Sequence, residues 1–570
     1  MTDTDPAALL AAVERLRGSA DALTFPLELD DVGAARTSRT ELVDQLDDYV
    51  LPRLRSLDAP LLAVVGGSTG AGKSTLVNSV VGEQVTATGV IRPTTRASVL
   101  VHHEQDTRWF TDKRVLPGLA RVAGDGDGSA GTDDPGSVRL VPSDALPAGL
   151  ALLDAPDIDS VVKANRELSK QLLSAADLWL FVTTAARYAD AVPWDLLREA
   201  AERGTSVAIV LNRVPPEALQ TVRVHLASML RDQGLGQSPI FTVTEVDLDD
   251  GMIPPQDVER LRGWLHSLAG DARARSMVIR RTLSGTVGSL AGRAGELAEA
   301  GQAQVAARQE LAKGPRTAYA DALAGVEQGV QDGSLLRGEV LARWQELVGT
   351  GEFLRSIEEG IGRFRDRISS WFSGKPVSAE PLGDALQSGA AALITSHGQV
   401  AASTAARSWK NTPGGVELVD RNPGLTKASP DFAERVERLI RDWQGQILEM
   451  VREEAGSRRS TARFLAFGVN GLGVLLMIVV FASTAAIPTG AEVAVAGGSA
   501  VLAQRLLEAV FGDQAVRSMS VKARKALIAR VEELYEQERG RYDAVLQEVP
   551  VTDEVVQELR SAAADVEAAR

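Results

Sequence analysis

Residues 61–77 read LLAVVGGSTGAGKSTLV, an apolar run broken by glycines and closed by a lysine and hydroxyls. Within it Gly67, Gly72, Lys73 and Ser74 fall in the order G-x-x-x-x-G-K-S, with a strand-like run before and a helical run after. That order and context are those of a phosphate-binding loop. The expected cradle is Gly67, Ser68, Thr69, Gly70, Ala71, Gly72, Lys73, Ser74 and Thr75. Glycines let the backbone curl so that successive N–H groups converge on an anion. The helix that follows turns its positive end toward the same charge. Lys73 then neutralises the β- and γ-phosphates, and the Ser74 hydroxyl ligates Mg²⁺. Binding of a nucleoside triphosphate with Mg²⁺, and its hydrolysis, is the chemistry this loop predicts.

Two further elements suit the same site. Asp154 ends the apolar run LALLD, where a carboxylate would hold Mg²⁺ through water. Arg92-Pro93-Thr94-Thr95-Arg96 precedes another strand-like run. A threonine there would close on Mg²⁺ and the γ-phosphate and report the triphosphate state. Thr95 is favoured over Thr94, and Arg92 or Arg96 would stabilise transition-state charge.

These residues need a scaffold. The runs LLAVV, ASVLV, LALLD, LWLFV, SVAIVL and PIFTV begin at positions 61, 97, 150, 178, 206 and 239. They are β-branched without strict alternation, as in strands buried on both faces. Alternation of strands with helices predicts an α/β domain with a mostly parallel sheet and helices on both faces. Residues 1–58 read as helices, with one stripe at Leu9, Leu10, Val13 and Leu16 and a second at Leu42, Leu46, Tyr49, Val50 and Leu54, which Pro52 should kink. The acidic, glycine-rich stretch 124–137 reads as an insertion, and His102-His103 as structural. After about residue 270 helical periodicity takes over. Ser429-Pro430-Asp431 marks one helix start, followed by Phe432, Val436, Leu439, Trp443, Ile447 and Met450 at helical spacing.

One segment is apolar throughout. Phe464 to Ile487 carries no charge, and Leu475, Ile478 and Phe481 lie along it. A membrane-crossing helix needs about 20 such residues. A weaker run follows at 493–503, and both outer flanks are rich in arginine and lysine. The expectation is a transmembrane or re-entrant hairpin over 464–503 with both termini cytoplasmic. The stretch 353–372, with Ile357, Ile361, Phe364, Ile368 and Trp371 beside several arginines, reads as a core face, with a membrane contact as the alternative. A net charge of −15 argues against a nucleic-acid partner, and the absence of cysteine excludes disulfides and thiolate metal sites. The N-terminus lacks the basic and apolar regions of a secretory signal.

At VVGGSTGAGKST, RPTTR and LLDAPD the chain resembles GTPases of the dynamin superfamily, and specifically bacterial dynamin-like proteins. The motif likeness covers about residues 60–245; beyond that it lies in the order of elements. The resemblance implies domains at 1–58 (neck helices), 59–270 (GTPase domain), 271–463 (helical stalk), 464–503 (membrane hairpin) and 504–570 (helices returning to stalk or neck). It implies GTP as substrate, Mg²⁺ as cofactor, and Pro156 and Asp157 as switch residues beside Thr94 and Thr95. Expected partners are anionic membrane lipids, further copies of the chain and a paralogue, at the cell membrane with the GTPase domain cytoplasmic. The implied role is membrane remodelling, tethering or scaffolding, with cell division or membrane repair among its settings. The Ala- and Arg-rich composition suggests a high-GC bacterium such as an actinobacterium.

The chain departs from the family in three places. Asp157 stands where the family commonly has glycine, and Thr69 where dynamins often have glutamine. The guanine-reading Asn/Thr-Lys-x-Asp is replaced by Asn212-Arg213-Val214-Pro215. Asn212 and the Arg213 stem can still cradle a base, but the carboxylate is missing, so ATP stays open. The rival reading is a soluble or peripheral regulatory P-loop NTPase switch, ATP-using or weakly hydrolytic. A transporter ATPase is disfavoured, because no LSGGQ-type signature lies between the loop and Asp154.

Overall fold

The computed structural model describes residues 6–86, 98–111, 115–116, 118–123, 136–159, 163–202, 204–332, 335, 340, 342–343, 380–456, 461–482, 503–508 and 510–570. The chain divides into two compact units. One takes the chain up to Phe25, then Asp31–Ala303 and Val551–Arg570; the other takes Pro26–Asp30 and Gln304–Pro550.

The first unit is built on an eight-stranded sheet: β1 (Leu61–Gly67), β2 (Ser98–His102), β3 (Ala120–Ala123), β4 (Ser137–Pro142), β5 (Leu150–Asp154), β6 (Leu178–Thr184), β7 (Ser206–Val214) and β8 (Ile240–Thr244). Their order across the sheet is β3-β4-β2-β5-β1-β6-β7-β8. Every pairing is parallel except β2 with β5. All six strands read from sequence are present. Strands β3 and β4 extend the edge beyond them; β4 begins inside the segment read as an insertion.

Both faces of the sheet are covered. Leu61, Ala63, Val65, Leu152, Leu180 and Val210 join one hydrophobic cluster with α4 (Lys73–Val81) and α9 (Pro255–Gly270). The alternate residues Leu62, Val64, Trp179, Phe181 and Ile209 are equally buried. Dual burial explains the continuous apolar runs. On that second face Leu173 of α6 (Lys163–Ser174) closes on Gly66 beside Trp179.

The N-terminal helices dock through one buried ion pair. After α1 (Pro6–Ala22) and α2 (Val32–Gln45), a π-type turn at Leu46–Val50 leads into α3 (Leu51–Arg55). The π turn ends just before Pro52, whose ring displaces the carbonyl four residues back. Arg53 of α3 donates to Asp177 Oδ1 at 2.9 Å and to the carbonyls of Ala59 and Pro60 at 3.0 and 2.6 Å. Asp177 Oδ2 accepts from the Leu62 N–H at 2.8 Å, so this carboxylate ties α3 to the mouth of the sheet. Helix α1 also packs on the last helix, Asp553–Ala569, where Arg15 pairs with Glu558 at 2.8 Å.

The second unit is helical. It contains the end of α10 (Ala272–Gln331) and the helices Glu380–Lys410, Gly415–Arg421, Phe432–Gly456, Thr461–Ala482 and Asp513–Gln547. Its buried aromatics keep their polar tips satisfied. Trp409 donates to the Leu311 carbonyl at 2.7 Å, Trp443 to Ala523 at 2.8 Å and Tyr535 to Ile394 at 2.8 Å. Glu538 is fully buried and holds Ser429 by its N–H and hydroxyl at 2.9 and 2.6 Å, with Arg435 and Arg541 each at 3.0 Å. The helix read as starting at Ser429 begins at Phe432, and the Ser429 hydroxyl donates to Glu538.

Among the described residues the expected apolar membrane hairpin over 464–503 is not found. Among the described residues no helix is long and apolar enough to cross a membrane. Leu475, Ile478 and Phe481 are buried, and their helix packs on Phe432–Gly456 and Asp513–Gln547. Phe481 meets the Trp443 ring at 5.5 Å, so here these side chains form bundle core. The Phe464 side chain, Ile487, most of the second run and the stretch 353–372 lie outside the described residues.

Candidate nucleotide-binding site

The loop Gly67–Thr75 leaves β1 and enters α4. Two of its glycines, Gly67 and Gly72, are forced by neighbours. A Cβ on Gly67 would stand 2.1 Å from the Val182 carbonyl oxygen of β6. Gly72 has φ +84°, and a Cβ there would meet Asn212 Nδ2 at 2.7 Å. Ser68 is fully buried and its hydroxyl has no hydrogen-bond partner. The Thr75 carbonyl accepts from Ser79 at 2.7 Å, securing the first turn of α4. Lys73 is buried; its Nζ donates to the Gly67 and Ser68 carbonyls at 3.0 and 3.2 Å and ion-pairs with Asp157.

Strands β1 and β5 are parallel neighbours with Val65 opposite Asp154, which brings the loop and this carboxylate together. The Ser74 hydroxyl donates to Asp154 Oδ2 at 2.6 Å. Asp154 is fully buried, and burial pushes its carboxyl above the ordinary range against the pull of Ser74, Lys73 and Thr86. Its Oδ1 is buried without a partner. A carboxylate with one bare oxygen beside a serine hydroxyl is a donor pair for a hard cation. Among the described residues no cluster of three or more His, Asp or Glu forms a metal cage, so any cation here would complete its shell from phosphate and water.

Sequence reasoning missed Thr86. Its hydroxyl donates to Asp154 Oδ2 at 3.0 Å. Asn78 of α4, itself buried, presents it: Asn78 Oδ1 accepts from the Val85 and Thr86 N–H at 3.0 and 2.9 Å, and Nδ2 donates to the Thr86 carbonyl at 2.9 Å. Asp159 and Arg187 were missed as well. Asp159 Oδ1 accepts from the N–H and hydroxyl of Thr69, each at 2.6 Å, and Arg187 donates to the Thr69 carbonyl at 2.7 Å. Burial opposes ionisation of Asp159, but Thr69 and Arg187 together hold its carboxyl below the ordinary range.

Other expected residues fall nearby. The Pro156 carbonyl accepts from Ser169 of α6 at 2.8 Å. Asn212, at the end of β7, donates from Nδ2 to the Ala71 carbonyl at 2.9 Å, and its Oδ1 accepts from the Arg213 N–H at 3.0 Å. The pairing of β7 with β8 shifts between Leu211 and Val214, and Arg213 there takes φ +52°, with its guanidinium beside Gly72. Arg92, Thr94, Thr95 and Arg96 lie outside the described residues.

Residues 62–214 match the model of the dynamin family. No curated protein sequence matches the chain significantly. Among solved structures, a chain from an oligomerised bacterial dynamin pair, described as sensing and tethering membranes at long range, is 11% identical, covering 100% of this chain and 95% of that one at a TM-score of 0.46. Aquifex aeolicus Era bound to GDP and aluminium fluoride is 19% identical over 36% of this chain and 57% of its own, with a TM-score of 0.24. Toc33 from Arabidopsis thaliana with Mg²⁺ and GMPPNP is 14% identical over 44% and 95%, also at 0.24.

Proposed function

We propose, from the premise that residues 62–214 are a dynamin-family GTPase domain, that the chain binds GTP with Mg²⁺ at Gly67–Thr75, hydrolyses it, and couples the cycle to self-assembly on membranes. The observation that carries the site is the Ser74–Asp154 contact at 2.6 Å with a bare buried oxygen on Asp154, set beside Lys73. Ser74 and Asp154 would hold the ion, with Thr95 as the threonine that closes on it. When bound, Mg²⁺ neutralises phosphate charge and orients the transferring group. Lys73 supplies the second positive charge, and the loop N–H groups the third set of donors. Asn212 braces the loop from β7 and, with the Arg213 stem, offers the base a floor. Assembly with further copies or a paralogue, anionic lipids as partner and the cell membrane as place complete the reading.

The test is GTP turnover per molecule as a function of protein concentration, with and without vesicles of anionic phospholipid. A rate that climbs with concentration and with vesicles is expected. The burial of Leu475, Ile478 and Phe481 favours a second reading, a peripheral regulatory GTPase. A rate indifferent to both variables would select it.

A further inference from the structure

Two carboxylates from one short segment sit on the phosphate-binding loop. Asp157 ion-pairs with the buried Lys73. Two residues on, Asp159 takes the Thr69 N–H and hydroxyl, each at 2.6 Å. Between them the Ile158 N–H donates to the Gly67 carbonyl at 3.4 Å. Arg187 fastens the arrangement from the loop after β6, reaching the Thr69 carbonyl at 2.7 Å, Asp159 at 2.8 Å and Asp190 at 2.9 Å. The groups engaged are those a triphosphate needs: the loop lysine and a loop N–H. A carboxylate offers them what a phosphate offers, anionic oxygens that accept charge-assisted hydrogen bonds.

We propose that Asp157-Ile158-Asp159 is an acidic strap whose carboxylates stand in for phosphate oxygens, and that Asp157 sets how tightly the site takes GTP and how strongly it prefers GTP over GDP. The inference rests on the nucleotide site proposed above. Where the resemblance expects glycine at 157, with only an N–H to give, this chain places a negative charge on the ammonium that phosphate must win. Nucleotide binding therefore exchanges one ion pair for another, and the net gain is smaller by what the first was worth. The added phosphate of GTP brings more negative charge against Asp157 than GDP does, so GTP is penalised more. Asp159 is a weaker competitor, because it engages the neutral N–H and hydroxyl of Thr69 and is itself paired with Arg187.

The experiment uses the full chain and titrates fluorescent GTP and GDP analogues into wild type, Asp157→Asn and Asp157→Gly, with thermal unfolding of each protein in the absence of nucleotide. Both variants should tighten GTP by about tenfold, roughly 1.4 kcal/mol, and GDP by less. The same variants should unfold at lower temperature without nucleotide, because the Lys73 pair is gone. A residue that merely supports the fold would lower stability and affinity together. Wild type that binds GTP, with variants within about twofold of it or weaker for GTP, overturns the strap and leaves the site standing. A Lys73→Ala protein that binds GTP as well as wild type removes the site and the strap with it.

Discussion

Thr86 shows how a group distant in sequence enters the site. Asp154 is 68 residues from it, and only the Asn78 clamp fixes the threonine hydroxyl on the carboxylate. Groups that orient a metal ligand typically govern metal affinity by about 10–100-fold. Thr86→Val should therefore raise the Mg²⁺ concentration for half-maximal GTP turnover by about tenfold, Thr86→Ser should restore it, and magnesium titrations would show both. The loop itself was legible in the sequence because phosphate chemistry needs contiguous residues. Thr86, Asp159 and Arg187 were not, because their partners lie 68, 90 and 118 residues away and only the fold introduces them. Asp48 offers a pH test away from the loop. Burial pushes its carboxyl up, with Asp47 adding to that and Gln171, Gly118 and Arg121 opposing it. Its Oδ2 accepts from Gln171 Nε2 at 2.6 Å. A raised folded value means that its stabilisation is full below the ordinary carboxylate value of about 3.9 and is lost as pH rises through the folded value. Asp48→Asn should flatten the melting temperature across that acid window, and melting curves at stepped pH would check it.

At the scale of elements, β1, β2, β5, β6 and β7 were readable because a strand buried on both faces needs an unbroken apolar run; the edge strand β8 was readable from its β-branched run, although of its residues only Val243 is buried. Strands β3 and β4 were not: β3 has only four residues, and β4 follows a glycine-rich acidic stretch that reads as loop. The sequence predicts a break in the helical stripe at Pro52, and the structure places a π turn, Leu46–Val50, just before it, where the proline ring displaces the carbonyl four residues back. The docking pair Arg53–Asp177 was invisible in sequence, since its members are 124 residues apart. Arg53 is 6% exposed and Asp177 0%, so removing one partner strands a buried charge. Arg53→Ala should cost the first unit about 3–5 kcal/mol, read by denaturant unfolding. A loss below about 1 kcal/mol, the range of exposed pairs, would mean that the contact does not anchor α3.

For the whole molecule, an apolar run that reads as a membrane span by length and composition is, over its described residues, bundle core. Composition cannot separate the two, because lipid and a helical interior make the same demand on a side chain. Packing can: Phe481 is fully buried on Trp443, and Arg524 donates to the Val480 carbonyl at 3.0 Å. Phe481→Ala should destabilise the helical unit by about 3–5 kcal/mol in lipid-free calorimetry, whereas a side chain with no protein neighbours would leave it unchanged. The central claim, a magnesium-dependent GTPase site built on Lys73, Ser74 and Asp154, is tested most directly by steady-state hydrolysis of GTP and ATP with and without Mg²⁺, wild type beside Lys73→Ala. The predicted result is GTP-selective, Mg²⁺-dependent turnover that falls at least about a hundredfold in the variant, as when a charge-stabilising donor is lost. Turnover that prefers ATP, ignores Mg²⁺ or survives the loss of Lys73 would contradict it.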